Sequence, residues 1–166
     1  MHELIGHKIL KIEEAISSGY HGIYRITTES NTFYYSEYIE CCNQLSVEWV
    51  NIDQLLGEIV TSVEDKELVE EVYDLQDKVM RHINTATDIF GYTIKTTKGW
   101  ADVIIRNSYG MIHYSGRLDL LIEDPECYRC DENKRCKECE RDYELFEKLN
   151  KDSLIKWRSV KCFDSD

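Results

Sequence analysis

Short runs of β-branched and aromatic residues alternate with turn signals over residues 92–121, and this pattern constrains the fold more than any other feature of the chain. Residues 92–97 precede Lys98 and Gly99, a pair that favours a tight turn. Residues 100–106 then form a predicted strand, 107–110 a turn and 111–121 a further strand. The segment is therefore expected to be an antiparallel meander.

The predicted turns also set a register. A two-residue turn places Ile94 opposite Val103, and a four-residue turn at 107–110 places Ile105 opposite Ile112. A slip of one residue would exchange the two faces of the sheet, so the register is tightly specified. These residues share an apolar face. The opposite face is predicted to carry Lys95, Asp102, Arg106, His113 and Arg117.

The first 63 residues have a similar pattern. Predicted strands cover residues 8–12, 22–28, 32–35, 46–50 and 58–63, with a turn at 29–31 and a capped helical turn at 53–57. Residues 24–28 and 92–97 echo each other, since each is a Tyr-x-Ile run that ends in Thr-Thr before a turn. Two similar meanders could pack as one curved sheet or a small barrel, although convergent strand composition explains the echo equally well.

Residues 64–81 change period. Leu68, Val72, Leu75 and Val79 recur at helical spacing, with acidic residues between them. The pattern predicts an amphipathic helix that packs on the protein's own sheet. A helix that binds a partner would have the same pattern.

Two Cys-x-x-Cys pairs separated by five residues are the sharpest chemical signal in the chain. Four thiolates at this spacing can close a tetrahedral Zn²⁺ site with Zn–S distances of ~2.3 Å, and such a site has no open position, so the zinc would be structural. Disulfides, an iron–sulfur cluster or no metal are the alternatives, and Cys162 could replace one ligand. The second pair also opens a helical pattern. The candidate ligands are Cys127, Cys130, Cys136 and Cys139.

Together these elements predict an α+β fold of mostly antiparallel β meanders. Residues 1–122 are expected to form a β-rich core domain with a helix inserted at 64–81. Residues 123–166 are expected to form a zinc-stapled appendage with a helix. The composition agrees with a folded chain, because 42% hydrophobic residues exclude full disorder, and one proline with eight glycines excludes collagen-like or linker-like sequences.

The formal charge is −12 and is unevenly distributed. Residues 1–63, 64–81, 82–122 and 123–166 carry −6, −4, +1 and −3, respectively. A chain with this field repels phosphate backbones, so direct nucleic-acid binding is not expected, and an acidic surface favours a protein partner with a basic surface. Acidity for solubility alone is the other interpretation.

No catalytic residues are assigned, because the sequence has no phosphate-cradling glycine loop, no Gly-x-Ser-x-Gly and no His-Glu-x-x-His. Asp102 and His113 would be the acid/base pair of a small hydrolase, although a lone strand histidine is usually structural. The basic island of the polar face is a candidate site for a phosphorylated or cyclic-nucleotide ligand, because a guanidinium group presents a planar fork of donors. A solvated sheet face explains it as well. The candidate ligand-binding residues are Arg25, Lys95, Arg106, Asn107, Tyr109 and Arg117.

Several short runs resemble a small, functionally uncharacterised β-rich domain family of phage and prophage genomes. They are LIGHKI (4–9), ECC (40–42), VEWVNIDQLLG (47–57), TKG (97–99) and IRNSYG (105–110). The resemblance covers about residues 4–63 and 88–122, and it implies a phage-type accessory protein with no established activity. The family pattern has a histidine shortly before the cysteine pair. Residues 35–40 contain none, which argues against a metal site at Cys41 and Cys42.

These observations lead us to expect a non-enzymatic accessory protein that binds and inhibits a host protein, such as a defence or nucleic-acid-processing enzyme. No apolar run approaches the ~20 residues needed to span a membrane. The N-terminal residues lack the pattern of a signal peptide. The expected location is therefore the host cytosol, and a homo-oligomer is compatible with the sequence.

Overall fold

The computed structural model describes residues 1–38, 44–71, 86–108, 117–121 and 136–160 of the 166-residue chain. Within these ranges the chain forms nine strands, one α-helix and two short 3-10 turns. The strands and helix are β1 Ile9–Ala15, β2 Ile23–Thr28, β3 Thr32–Tyr38, β4 Gln44–Val50, β5 Val60–Glu71, β6 Ala86–Thr96, β7 Trp100–Ser108, β8 Arg117–Leu121, α1 Lys137–Lys151 and β9 Trp157–Ser159. The 3-10 turns are His2–Leu4 and Ile52–Gln54. The strands predicted over the first 63 residues are confirmed, with ends shifted by a few residues.

The strands form two antiparallel sheets that pack face to face. The five-stranded sheet has the order β8-β3-β2-β1-β9, and the four-stranded sheet has the order β4-β7-β6-β5. The inner faces supply the larger hydrophobic core, in which Ile26 and Tyr35 of one sheet and Ile94 and Val103 of the other are all 0% exposed. We call this cluster the inter-sheet core.

Two hairpins, β2–β3 and β6–β7, are closed by turns of the same construction. The Thr28 N–H donates to the Asn31 carbonyl at 2.8 Å, and the Thr96 N–H donates to the Gly99 carbonyl at 2.8 Å. Inside each turn the threonine Oγ1 also accepts a backbone N–H, from Asn31 at 3.0 Å and from Gly99 at 3.2 Å. The sequence echo between residues 24–28 and 92–97 therefore corresponds to equivalent turns in two different sheets.

The predicted register of the β6–β7 hairpin is wrong by two residues. Ile94 lies opposite Ala101, and Tyr92 lies opposite Val103. The turn is centred on Thr97 and Lys98, one residue earlier than predicted, because the Thr96 N–H pairs with the Gly99 carbonyl and the Thr96 hydroxyl accepts the amides of both Lys98 and Gly99. A shift of two residues leaves every side chain on its face. The apolar face of the hairpin is therefore buried as predicted.

The pairing predicted for residues 107–121 is also wrong. Both edges of β7 are occupied, by β4 and by β6, so Ile105 lies opposite Val47 and Phe90 and not opposite Ile112. Residues 117–121 do form a strand, β8, but it pairs with β3 in the five-stranded sheet. Residues 109–116 lie outside the described residues.

The helix predicted at 64–81 is wrong for residues 64–71. These residues are the second half of β5 and pair with β6 as far as Glu71 opposite Ala86. A continuous ladder of backbone hydrogen bonds to β6 outweighs the helical spacing of the apolar residues, because propensity and period are weak beside tertiary pairing. Residues 72–81 lie outside the described residues.

The helix covers the outer face of the five-stranded sheet, and the last strand extends the edge of that sheet. A second hydrophobic cluster joins Ile23 and Tyr34 of the sheet to Leu149 of α1 and to Ile155. Strand β9 lies in the predicted appendage, but it pairs with β1 and thereby completes the sheet of the core. We call this second hydrophobic cluster, which includes Ile23, Tyr34, Leu149 and Ile155, the outer cluster.

The predicted class, a mostly antiparallel β-rich α+β fold, is confirmed. The described strands form two open sheets and not one closed barrel. Among the described residues, no helix has both the length and the apolar character needed to cross a bilayer.

Candidate functional site

The Arg25 side chain contacts other residues on the outer face of the five-stranded sheet. Its Nε and Nη2 both donate to Glu13 Oε2, at 3.0 and 2.8 Å. Its guanidinium also lies 4.1 Å from the centre of the Trp157 ring, a distance typical of a cation–π contact. The side chains of Arg25 and Glu13 are 25% and 14% exposed. This arginine is therefore neutralised and stacked within the fold.

The outer face of the four-stranded sheet carries two lysine–carboxylate pairs. Lys66 Nζ donates to Asp102 Oδ1 at 2.7 Å, and the Thr93 hydroxyl donates to the same oxygen at 2.6 Å. Lys95 Nζ donates to Glu64 on the neighbouring strand. Asp102 thus takes part in a cross-strand network, and its carboxylate is only 13% exposed.

The structure does not bring together the described side chains of the predicted ligand site. Arg25 lies on the outer face of one sheet, and Lys95 lies on the outer face of the other, so the two point away from each other across the sandwich. The backbones of Arg106 and Asn107 lie in β7, opposite Ser46 and Leu45 of β4. Arg117 begins β8, in the five-stranded sheet. Tyr109 and His113 lie outside the described residues.

Two of the four predicted zinc ligands are described. Cys136 is the residue directly before α1, and Cys139 lies in its first turn and is buried. Cys127 and Cys130 lie outside the described residues, as do Cys41 and Cys42. Among the residues that are described, no three His, Cys, Asp or Glu side chains form a metal-binding group. The zinc site remains a prediction.

A pair of tyrosine–carboxylate contacts near the inter-sheet core was not predicted from the sequence. The Tyr24 hydroxyl donates to Glu37 Oε1 at 2.9 Å, and the Tyr35 hydroxyl donates to Glu3 Oε1 at 2.6 Å. The β2–β3 hairpin sets Tyr24 opposite Tyr35, so Glu37 lies two residues along the same face. That hairpin was predicted, and the contact between Tyr24 and Glu37 could have been inferred from its register.

The two carboxyl groups have pKa values shifted in opposite directions. Burial raises the pKa of Glu37, and the nearby Glu14 charge adds to this, while the hydrogen bond from Tyr24 partly offsets it. Burial also acts to raise the pKa of Glu3, but the hydrogen bond from Tyr35 and the N-terminal ammonium reverse the effect, so the pKa of Glu3 is lowered. The Met1 ammonium lies 3.4 Å from the Glu3 carboxylate. The two contacts thus differ in their surroundings, because Glu3 also has a backbone N–H and the Met1 ammonium to favour its charged form, whereas Glu37 faces the Glu14 charge.

Acidic residues are concentrated on the flanks of the four-stranded sheet. Residues 44–71 contain eight acidic residues and one basic residue. They form β4, the 3-10 turn Ile52–Gln54 and β5, and β4 and β5 are the two outer strands of the four-stranded sheet. The one basic residue, Lys66, is paired with Asp102 of β7. We call residues 44–71 the acidic segment.

Comparison with known proteins gives one match. A family model described as "Domain of unknown function (DUF7448)" matches residues 2–120. No curated protein and no solved structure matches the chain. The matched region contains both sheets except β9 and the last residue of β8, and it ends before α1.

Proposed function

The chain belongs to the DUF7448 family of domains of unknown function, and from its charge distribution we propose that it is a non-enzymatic, acidic accessory protein that binds a basic surface of a host protein and inhibits it. The phage-type origin included in this proposal comes from the sequence resemblance of runs such as LIGHKI and VEWVNIDQLLG. The proposed target is a host defence or nucleic-acid-processing enzyme, because such enzymes present basic grooves to phosphate backbones.

The acidic segment is the observation that carries the proposal. It holds a net charge of −7 out of the −12 of the whole chain. A surface with one sign of charge steers an oppositely charged partner and raises the rate of association. The strands that contain it, β4 and β5, are the outer strands of the four-stranded sheet among the described residues, and Glu64 and Asp65 of β5 are 57% and 71% exposed. A basic groove is complementary to such a surface.

The ion pairs of the two outer faces support protein binding over the alternative of a phosphorylated or cyclic-nucleotide ligand. Arg25 is paired with Glu13, and Lys95 is paired with Glu64. A phosphate group at either side chain would have to displace a carboxylate. The opposed placement of the two residues also means that they do not contact one small ligand together.

The contacts of Asp102 support a binding role over the alternative of a small hydrolase. A general base must reach the proton that it removes. Asp102 instead accepts hydrogen bonds from Lys66 and Thr93 within its own sheet. Such contacts are typical of a structural cross-strand network.

The proposal is tested with two variants that remove the same number of charges. Asp53→Asn/Asp65→Asn/Glu71→Gln neutralises three residues of the acidic segment, and the control Glu140→Gln/Asp142→Asn/Glu144→Gln neutralises three residues of α1. Partners captured from a bacterial lysate are identified by mass spectrometry, purified and titrated against each variant. We expect a partner with a basic surface, an affinity reduced on the order of tenfold by the first variant, and little change with the control.

Two results would contradict the proposal. The first is equal loss of affinity in both variants, which would indicate a response to net charge alone. The second is evidence for another class of function, either turnover of a small substrate that is lost in His113→Ala or calorimetric binding of a nucleotide that is lost in Arg106→Ala. These would favour the hydrolase and the ligand-binding alternatives, respectively.

A further inference from the structure

Two cysteines mark the start of α1. Cys136 directly precedes the helix with an extended backbone, φ −70° and ψ 163°, and Cys139 is the third helical residue and only 7% exposed. The residue before a helix and its third residue are the two positions whose side chains can meet across the first turn, as in a capping box. The positive end of the helix dipole favours thiolates at this place. The second Cys-x-x-Cys pair is therefore positioned where two thiolates can share one cation.

The apolar contacts of α1 lie at its other end. Leu145, Phe146 and Leu149, all from the second half of the helix, belong to the outer cluster, and the Phe146 ring packs edge-on against Tyr34 at 6.2 Å. The first half is mainly charged: Lys137, Glu138, Glu140, Arg141, Asp142 and Glu144. A helix of 15 residues is marginal without tertiary contacts. The buried Cys139 is thus the inward-facing group at an end with few apolar anchors.

We propose that Cys127, Cys130, Cys136 and Cys139 bind one structural Zn²⁺, and that this ion holds α1 against the outer face of the five-stranded sheet and thereby keeps β9 at its edge. Cys127 and Cys130 lie outside the described residues, and they are included because of their spacing in the sequence. Four thiolates complete the tetrahedral coordination of zinc and leave no position for a substrate. The metal therefore has a structural role, independent of the function proposed above.

The part of the chain that the zinc secures lies beyond the family-matched residues 2–120. After α1 the chain returns to β1, where the Val160 N–H donates to the Ile12 carbonyl at 3.1 Å and Lys156 N–H donates to Ser17 Oγ at 2.8 Å. Trp157 then covers Arg25. Strand β9 has only three residues and two of them are exposed. Because this pairing with β1 is so short, we expect it to persist only while the preceding helix is held in place.

Metal content tests the first half of the proposal. The full chain is purified without a metal-affinity tag, and metals are measured by mass spectrometry. We expect one zinc per chain, a tetrahedral thiolate spectrum when Co²⁺ replaces the zinc, and loss of the metal in Cys136→Ser/Cys139→Ser. The matched control Cys41→Ser/Cys42→Ser should keep its zinc. Iron in place of zinc, a metal-free folded protein, disulfides among these cysteines, or zinc retained in the first variant would each overturn it.

Hydrogen exchange before and after chelation tests the second half, and it uses the wild-type chain so that no variant needs to fold. We expect the amides of α1 and of residues 157–160 to lose protection when zinc is removed and to regain it when zinc is returned. The amides of the β2–β3 and β6–β7 hairpins should stay protected. Unchanged protection in α1 and β9 would overturn the proposed holding role. Loss of protection throughout both sheets would also overturn it, because the metal would then secure the core.

Discussion

The two sheets of this protein are covered to different extents. The five-stranded sheet packs on the four-stranded sheet with one face and on α1 with the other, so β2 places Ile26 in the inter-sheet core and Ile23 in the outer cluster. In the described part of the chain, the four-stranded sheet has one covered face. Strand β7 accordingly alternates between the buried Val103 and the half-buried Ile104. Among the described residues, the outer face of the four-stranded sheet is thus available to solvent, and the outer face of the five-stranded sheet is covered by a segment outside the family-matched residues.

The basic residues on the outer faces of the two sheets also differ in their contacts and exposure. Under α1 and β9, Arg25 is held by two hydrogen bonds to Glu13 and by the Trp157 ring. On the open face, Lys95 and Glu64 are 47% and 57% exposed. On the open face an ion pair is buried only where its neighbours enclose it: Asp102, which also accepts from Thr93, is 13% exposed, whereas the Lys95–Glu64 pair is hydrated and weak.

The largest expected effect compares the two sides of β2 by the same substitution. Ile26→Ala should lower the free energy of unfolding by about 3–5 kcal/mol, because it leaves a cavity between two sheets that cannot collapse. Ile23→Ala should cost about 2 kcal/mol, because α1 can move to fill part of the space. Urea unfolding followed by circular dichroism measures both values. Equal costs would mean that α1 is as firmly packed as the sandwich, and the distinction between the two faces would fail.

Much of the fold follows from local signals in the sequence. Alternation around turn residues predicts the β2–β3 and β6–β7 hairpins, and the Cys-x-x-Cys pair followed by a helical pattern predicts the start of α1. These signals act within a few residues, and at these places the tertiary pairing agrees with them. The face of Ile94 and Val103 is also correct, since a two-residue shift in register preserves it.

The assignment of strands to sheets could not be predicted in the same way. Residues 117–121 have the composition of a strand, but nothing local indicates that β8 joins β3 instead of β7. The helical spacing at Leu68 likewise competes with strand pairing, and the outcome depends on β6, which is distant in sequence. The candidate ligand site combined one predicted polar face, which includes Lys95 and Arg117, with Arg25 of the first hairpin. The sequence pattern could not predict that Arg117 lies in the sheet of Arg25 and not in that of Lys95.

An intermediate effect is expected for the two ion pairs. Arg25→Ala should destabilise the protein by about 1–3 kcal/mol, because it leaves the largely buried Glu13 carboxylate without its donors. Lys95→Ala should cost about 0–1 kcal/mol, since its pair is exposed. Thermal unfolding at low and high salt measures the difference.

A double-mutant cycle between Arg25→Ala and Trp157→Leu should give a coupling of about 0.5–1 kcal/mol. A coupling of zero would indicate that the ring merely lies near the guanidinium.

The smallest effect is expected from the two carboxylates bound by tyrosines. The folded-state pKa of Glu37 lies above the ordinary value of 4.5, so between these two pH values the folded protein holds a proton that the unfolded chain has released. Stability from this group therefore falls as the pH rises through that window. Glu37→Gln keeps an oxygen acceptor for Tyr24 and removes the titration, so its stability should not fall there, and near pH 7 the variant should be slightly more stable than the wild type.

Glu3 is the matched opposite case. Its folded-state pKa lies below 4.5, so it contributes stability that is present above this value and is lost as the pH falls through the lowered pKa. Glu3→Gln should thus be less stable than the wild type near pH 7 and should approach it in acid. Unfolding free energies measured from pH 3 to pH 7 distinguish the two variants. If both lost stability at pH 7, the Glu14 charge and the burial of Glu37 would not dominate its environment. Both carboxylates would then be stabilised in their charged forms, and the two contacts would be equivalent.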